Sequence, residues 1–299
     1  MSRSLGALAT FTLLRLMRRR RIYASRAALL EGVAQTRRAG PATPPSGLAD
    51  VSVTMGTRDG CPVYVLRPAR REVQVQVLYL HGGAYCRPIT RFHWHLLIDL
   101  ARRANAEILV PLYPLAPEAC GLSALHFVSG LHTEWASRAA APTVLMGDSA
   151  GGGLALALAV ACRDEGRVAA ERLMLITPWV DVAVPSAKAQ RIEASDPMLA
   201  LDGVRAAGEL YAGELGVAHP SISPARADLR GLPSMTMYVG GCDVLGPDAI
   251  EMAAQARSAG VVVDLQVQPD MMHVWPLLGF REARDARSHM VATLRNLSA

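Results

Sequence analysis

The chain has 299 residues, 51% of them hydrophobic, which is enough to bury a substantial core as a single α/β unit; its longest smooth apolar stretch, Gly151 to Cys162, is too short to cross a bilayer. The net charge of +5 divides unevenly, since residues 1–40 carry nine arginines against Glu31 alone while the remainder is mildly acidic. Basic residues confined to one terminal segment argue against a nucleic-acid footprint, and five widely spaced cysteines without ligand pairing argue against a metal site or a disulfide scaffold and for reduced thiols in the cytoplasm.

In chain order, the first segment is apolar and then basic: Leu5 to Met17 precedes Arg18-Arg19-Arg20-Arg21. A secretory signal has the reverse order and a small-residue cleavage site. This order suits an amphipathic helix with snorkelling arginines, so a peripheral contact with an anionic membrane surface is one reading and a helix covering a site is the other. Gly40 to Gly47, rich in Pro and Gly, closes this segment. Strands are predicted at about 50–56, 61–67, 73–80, 107–112, 143–148, 172–177, 234–240 and 261–268, and helices at about 93–104, 122–138, 149–163, 247–259 and 280–297. Their alternation predicts a mostly parallel sheet of about eight strands with helices on both faces, the first hairpin-like strands being antiparallel. The alternation lapses between 178 and 232, where Asp202 to Leu215 reads as a helix.

Two junctions carry chemistry. The predicted strand ending at Leu80 runs into His81-Gly82-Gly83-Ala84-Tyr85, a loop whose amides no bulky side chain shields. The apolar run Thr143 to Met146 meets Gly147-Asp148-Ser149-Ala150-Gly151 and then an apolar helix. That strand, turn and helix form the context of a nucleophile elbow, with Ser149 as the nucleophile and Gly147 and Gly151 admitting close backbone approach. Serine needs a base, and the order serine, acid, histidine leaves His219, His273 and His289 downstream. His289 lies in a charged helical stretch and His219 before Pro220, so His273, just past the last strand, is the expected base. Asp243 follows the strand 234–240 and is the expected acid; Asp248 reads as the opening of the next helix, and Glu251 is third. The N–H groups of Gly82, Gly83 and Ala150 are the expected oxyanion donors. His81 is read as a loop-shaping hydrogen-bond donor and Asp148 as an orienting group.

As a set, His81-Gly82-Gly83-Ala84, Gly147-Asp148-Ser149-Ala150-Gly151-Gly152, Val110 to Glu118 and Ser195-Asp196-Pro197-Met198 resemble the hormone-sensitive-lipase-like esterase/lipase family of α/β-hydrolases over about residues 50–280. Departures are Ala84 for the third loop glycine, Pro114 for an arginine, Gly153 for an asparagine, and shortened versions of the acid and histidine motifs at Asp243 to Asp248 and His273 to Trp275. The resemblance implies an α/β-hydrolase fold over residues 48–299, capped by an N-terminal lid of residues 1–47 and an insertion at about 178–232. It also implies a serine carboxylesterase that hydrolyses small acyl esters, short to medium in chain length, through an acyl-enzyme, with no metal or organic cofactor. Acyl transfer or amide hydrolysis by the same triad, and non-catalytic ligand binding, are the alternatives. A homodimer and association with the inner membrane face stay open.

Overall fold

The computed structural model describes residues 3–297; Met1, Ser2, Ser298 and Ala299, at the outer ends of the expected 1–47 and 48–299 units, lie outside the described residues. Two helices come first, α1 (Leu5–Leu16) and α2 (Arg26–Ala39), joined by a 3₁₀ turn at Arg19–Tyr23. Each begins where a serine, Ser4 or Ser25, accepts an N–H of its first turn. There follow β1 (Val51–Arg58), β2 (Cys61–Pro68), β3 (Val75–Leu80), α3 (Arg91–Ala104), β4 (Ala106–Pro111), α4 (Gly121–Ala136), β5 (Thr143–Asp148), α5 (Ala150–Asp164) and β6 (Arg172–Ile176). The chain ends with α6 (Ala187–Ile192), α7 (Leu201–Ala212), β7 (Ser234–Gly240), α8 (Gly246–Ser258), β8 (Val263–Gln268) and α9 (Arg281–Arg295).

The strands form one sheet in the order β1-β2-β4-β3-β5-β6-β7-β8. β2 pairs antiparallel with β1 and β4, and every other pairing is parallel. Every residue of β3, β4 and β5 is buried, as expected of strands covered on both faces. One face is packed by α3 and α9 and the other by α4, α5 and α8, giving two apolar cores separated by the sheet. Each of the eight predicted strands is present, with ends displaced by a few residues. The lapse between 178 and 232 is an insertion between β6 and β7 that holds α6 and α7.

The N-terminal segment is fastened to both ends of the fold. Ser4 donates its N–H and hydroxyl to Glu282 of α9, each at 2.6 Å. Arg37 of α2 donates to the carbonyls of Cys86 and Ala116, at 3.0 and 2.9 Å. The 3₁₀ turn and α2 pack on α7, where Gly203 lies so close to the backbone of Tyr23 that any Cβ would collide with it. Among the described residues, no helix is long and apolar enough to cross a membrane.

Candidate active site

β5 delivers Ser149 to a turn that its neighbours hold tightly. The serine has φ 53°, in the region that side chains rarely adopt. Its N–H donates to the Ile176 carbonyl (2.9 Å), and its own carbonyl accepts from Gly153 (3.1 Å) and Trp179 (2.9 Å). A Cβ on Gly151 would strike the Leu80 carbonyl and one on Gly147 would strike Gly151, so the turn can lie against β3 only with glycine at both positions.

The loop after β8 brings His273 to this serine. The His273 Nε2 lies 2.8 Å from Ser149 Oγ, and its Nδ1 lies 2.8 Å from Asp243 Oδ2. Asp243 is wholly buried on the turn after β7, and its Oδ1 accepts the Leu245 N–H at 2.9 Å. Burial alone would push the imidazole pKa down; the charge and hydrogen bond of Asp243, with Asp196 and Asp148 further off, outweigh this and hold it above the ordinary histidine value. Asp248 sits instead in the first turn of α8, Glu251 is exposed on the same helix, His219 lies on an exposed turn, and His289 contacts the Tyr238 hydroxyl at 2.8 Å. None of these four touches Ser149 or Asp243.

Asp148 points back across the sheet to the loop after β3. Its Oδ1 accepts from the Tyr79 hydroxyl (2.5 Å) and from the Gly82 N–H (2.8 Å), and its Oδ2 faces His93 Nε2 at 3.4 Å. His93 Nδ1 accepts the Thr90 N–H (2.9 Å), which leaves Nε2 to carry the proton toward the carboxylate. Burial opposes ionisation of Asp148, but these partners outweigh it and set its pKa below the usual carboxylate value. This network corrects one expectation: the Gly82 N–H is taken by Asp148 and is not free for an oxyanion. The backbone swings through positive φ at Gly83, Ala84 and Tyr85. Among the described residues, the N–H groups of Gly83, Ala84 and Ala150 have no partner. His81 stacks on Tyr113, with ring centres 4.6 Å apart, and its Nδ1 lies 2.7 Å from the Gly82 carbonyl. Burial, then His93, lowers its pKa to about 4, so it stays neutral.

Two contributors escape a reading of local pattern. His93 precedes Ser149 in the chain, outside the downstream stretch in which a base is sought; its sequence signal is Thr90 three residues earlier, a reciprocal helix cap. Asp196, noticed only as part of a motif, is buried beside the acid: Oδ2 accepts the Val244 N–H (3.0 Å), and Oδ1 accepts those of Met198 (2.8 Å) and Leu199 (2.9 Å). Burial, then the charge of Asp243, pushes its pKa upward. Among the described residues, no cluster of three or more His, Cys, Asp or Glu side chains is arranged to hold a metal ion.

A serine at a strand-to-helix elbow, beneath a mostly parallel sheet's glycine loop, defines the α/β-hydrolase class. The family model described as the alpha/beta hydrolase fold matches residues 77–277. The provisionally named acetyl-hydrolase LipR of Mycobacterium tuberculosis is 36% identical over 248 residues, covering 79% of this chain and 78% of LipR. An acetyl-hydrolase of Streptomyces hygroscopicus is 34% identical over 217 residues, covering 72% of each chain. The crystal structure of an esterase from the bacterial hormone-sensitive lipase family superposes with a TM-score of 0.83 at 27% identity, covering 100% of both chains. The chain belongs to the α/β-hydrolase-fold family, within its hormone-sensitive-lipase-like group of carboxylic ester hydrolases.

Proposed function

We propose that this protein hydrolyses esters of short acyl groups with Ser149 as nucleophile, His273 as base and Asp243 as the orienting acid. The observation that carries the reading is the unbroken relay from Asp243 Oδ2 through the imidazole to Ser149 Oγ, with both links 2.8 Å long. Ser149 Oγ attacks the ester carbonyl carbon as His273 Nε2 takes its proton. Asp243 holds the Nδ1–H tautomer and stabilises the imidazolium. The N–H groups of Gly83, Ala84 and Ala150 face the negative charge that forms on the carbonyl oxygen. The imidazolium returns its proton to the departing alcohol, leaving an acyl-serine, and water activated by the same histidine then releases the acid. Residues 1–47 and the insertion at about 178–232 serve as the cap.

The short acyl preference rests on aromatic packing beside the elbow. Tyr85 of the glycine loop stacks on Tyr211 of α7, with ring centres 3.5 Å apart, and tilts against Trp179, whose N–H binds the Ser149 carbonyl. These rings occupy the space between the glycine loop and α7, which favours a small acyl group. Both relatives above are also named acetyl-hydrolases. Fluorophosphonate labelling mapped to Ser149, with a rate profile over p-nitrophenyl acetate, butyrate, octanoate and palmitate, tests the proposal. Labelling at Ser149 and rates falling beyond butyrate are expected; an unreactive serine defeats it, and a peak at palmitate defeats the chain-length part.

A further inference from the structure

α1 is apolar on both sides. Ala7 and Phe11 turn inward, while Leu5, Leu8, Leu13 and Leu16 are 86%, 49%, 54% and 75% exposed. At about 100° per residue, Leu5, Ala9, Leu13 and Leu16 share one outward stripe opposite the buried pair, with Thr12 within it and Leu8 at its edge. Met17, 66% exposed, extends it past the helix end. Soluble proteins seldom leave several large apolar side chains of one helix face uncovered. Neighbouring basic groups are only partly used within the fold: Arg20 pairs with Glu193 and Arg26 with Glu209, whereas the exposed Arg18 and Arg21 make no side-chain bond among the described residues.

We infer that α1 and the arginine turn after it dock on an anionic phospholipid bilayer, with the leucine stripe at the acyl boundary and Arg18 and Arg21 among the lipid phosphates. The charge selects this occupant. A two-fold contact between copies through α1 would bring these arginines no carboxylate, since residues 1–30 contain none. A bilayer bearing anionic headgroups answers both the apolar stripe and the unpaired arginines. A cavity of about 490 Å³ lies between the foot of α1, at Leu14, Arg15 and Arg18, and the insertion at Glu193 to Asp202. Its wall includes Asp196, which holds the amide next to Asp243.

The test is co-sedimentation of the full chain with vesicles of phosphatidylcholine alone and of phosphatidylcholine with about one third phosphatidylglycerol. Binding to the anionic vesicles only, weakening as salt rises, is expected. Leu8→Asp/Leu16→Asp and, separately, Arg18→Glu/Arg21→Glu should each weaken that binding by about tenfold or more. Melting temperatures equal to the wild type certify folding, since the altered side chains are exposed. Failure to bind anionic vesicles, equal binding to both vesicle types, or binding that survives both double variants overturns the proposal. So does a wild-type dimer that the leucine variant turns into a monomer, which would assign the stripe to a second copy. Fluorophosphonate labelling of Ser149 without vesicles reads the esterase proposal separately, so either idea can fail alone.

Discussion

The carboxylate of Asp196 accepts the main-chain N–H of Val244, the residue immediately after Asp243. An insertion that begins after β6 thereby grips the turn that carries the acid, and its negative charge adds to the field that favours the His273 imidazolium. A base must be neutral to accept the serine proton, so activity falls as pH drops through the His273 pKa, which lies above the ordinary histidine value. Asp196→Asn removes charge and keeps an acceptor oxygen. The acid limb of kcat/KM for p-nitrophenyl acetate should then move to lower pH. Asp196→Ala, which leaves three amides without acceptors, should also lower kcat, by about tenfold or more. A purely structural role predicts no movement of the limb in the Asn variant.

Ser149→Ala removes the only atom that His273 Nε2 reaches in the relay. kcat should fall on the order of 10⁴-fold or more, with folding intact. Steady-state kinetics beside a thermal melt checks this, and hydrolysis at a near-normal rate would show that another group attacks the ester.

Tyr79→Phe deletes one of the donors that the buried Asp148 carboxylate uses to hold the Gly82 loop. Hydrogen bonds to a charged group contribute about 1.5–3 kcal/mol, so urea unfolding should register a loss of that size. The same variant should lower kcat more than it raises KM, because the displaced loop carries the amides proposed to face the oxyanion. Equal stability to the wild type would mean that Asp148 finds another donor.

Asp248→Asn should stabilise the protein at pH 8 and do so less at pH 5. Burial, then Asp181 and Glu251, raises this carboxyl to about 7, and its Oδ2 is buried without a partner. A folded pKa above the unfolded one, near 4, gives a contribution that is complete below about pH 4 and is lost as pH rises through about 7. The permanently neutral amide escapes that loss. Allowing for partial solvation of the group, the gain at pH 8 is on the order of 1–2 kcal/mol, or a few degrees in melting temperature. Calorimetry at the two pH values checks both sign and size.

Strands covered on both faces are written as unbroken apolar runs, so β3, β5 and β7 and the turns at their ends were legible without coordinates. So were Ser149, Asp243 and His273 as candidates, because each stands at a strand end where local pattern marks it, and the fold brings these three together. The fate of the Gly82 amide was not legible: it depends on a side chain of β5 folding back across the sheet, and no local pattern records that. His93 and Asp196 were missed as parts of the network for the same reason, their partners lying 55 and 48 residues away in the chain. α1 reads from its sequence as an amphipathic helix, but which of its leucines face outward depends on what packs against it.

At Gly203, a helix from the middle of the chain touches the N-terminal turn so intimately that neither can slide without the other. The two segments proposed as the cap are thus joined at Tyr23. A side chain larger than hydrogen at position 203 would have to push the N-terminal turn and α7 apart.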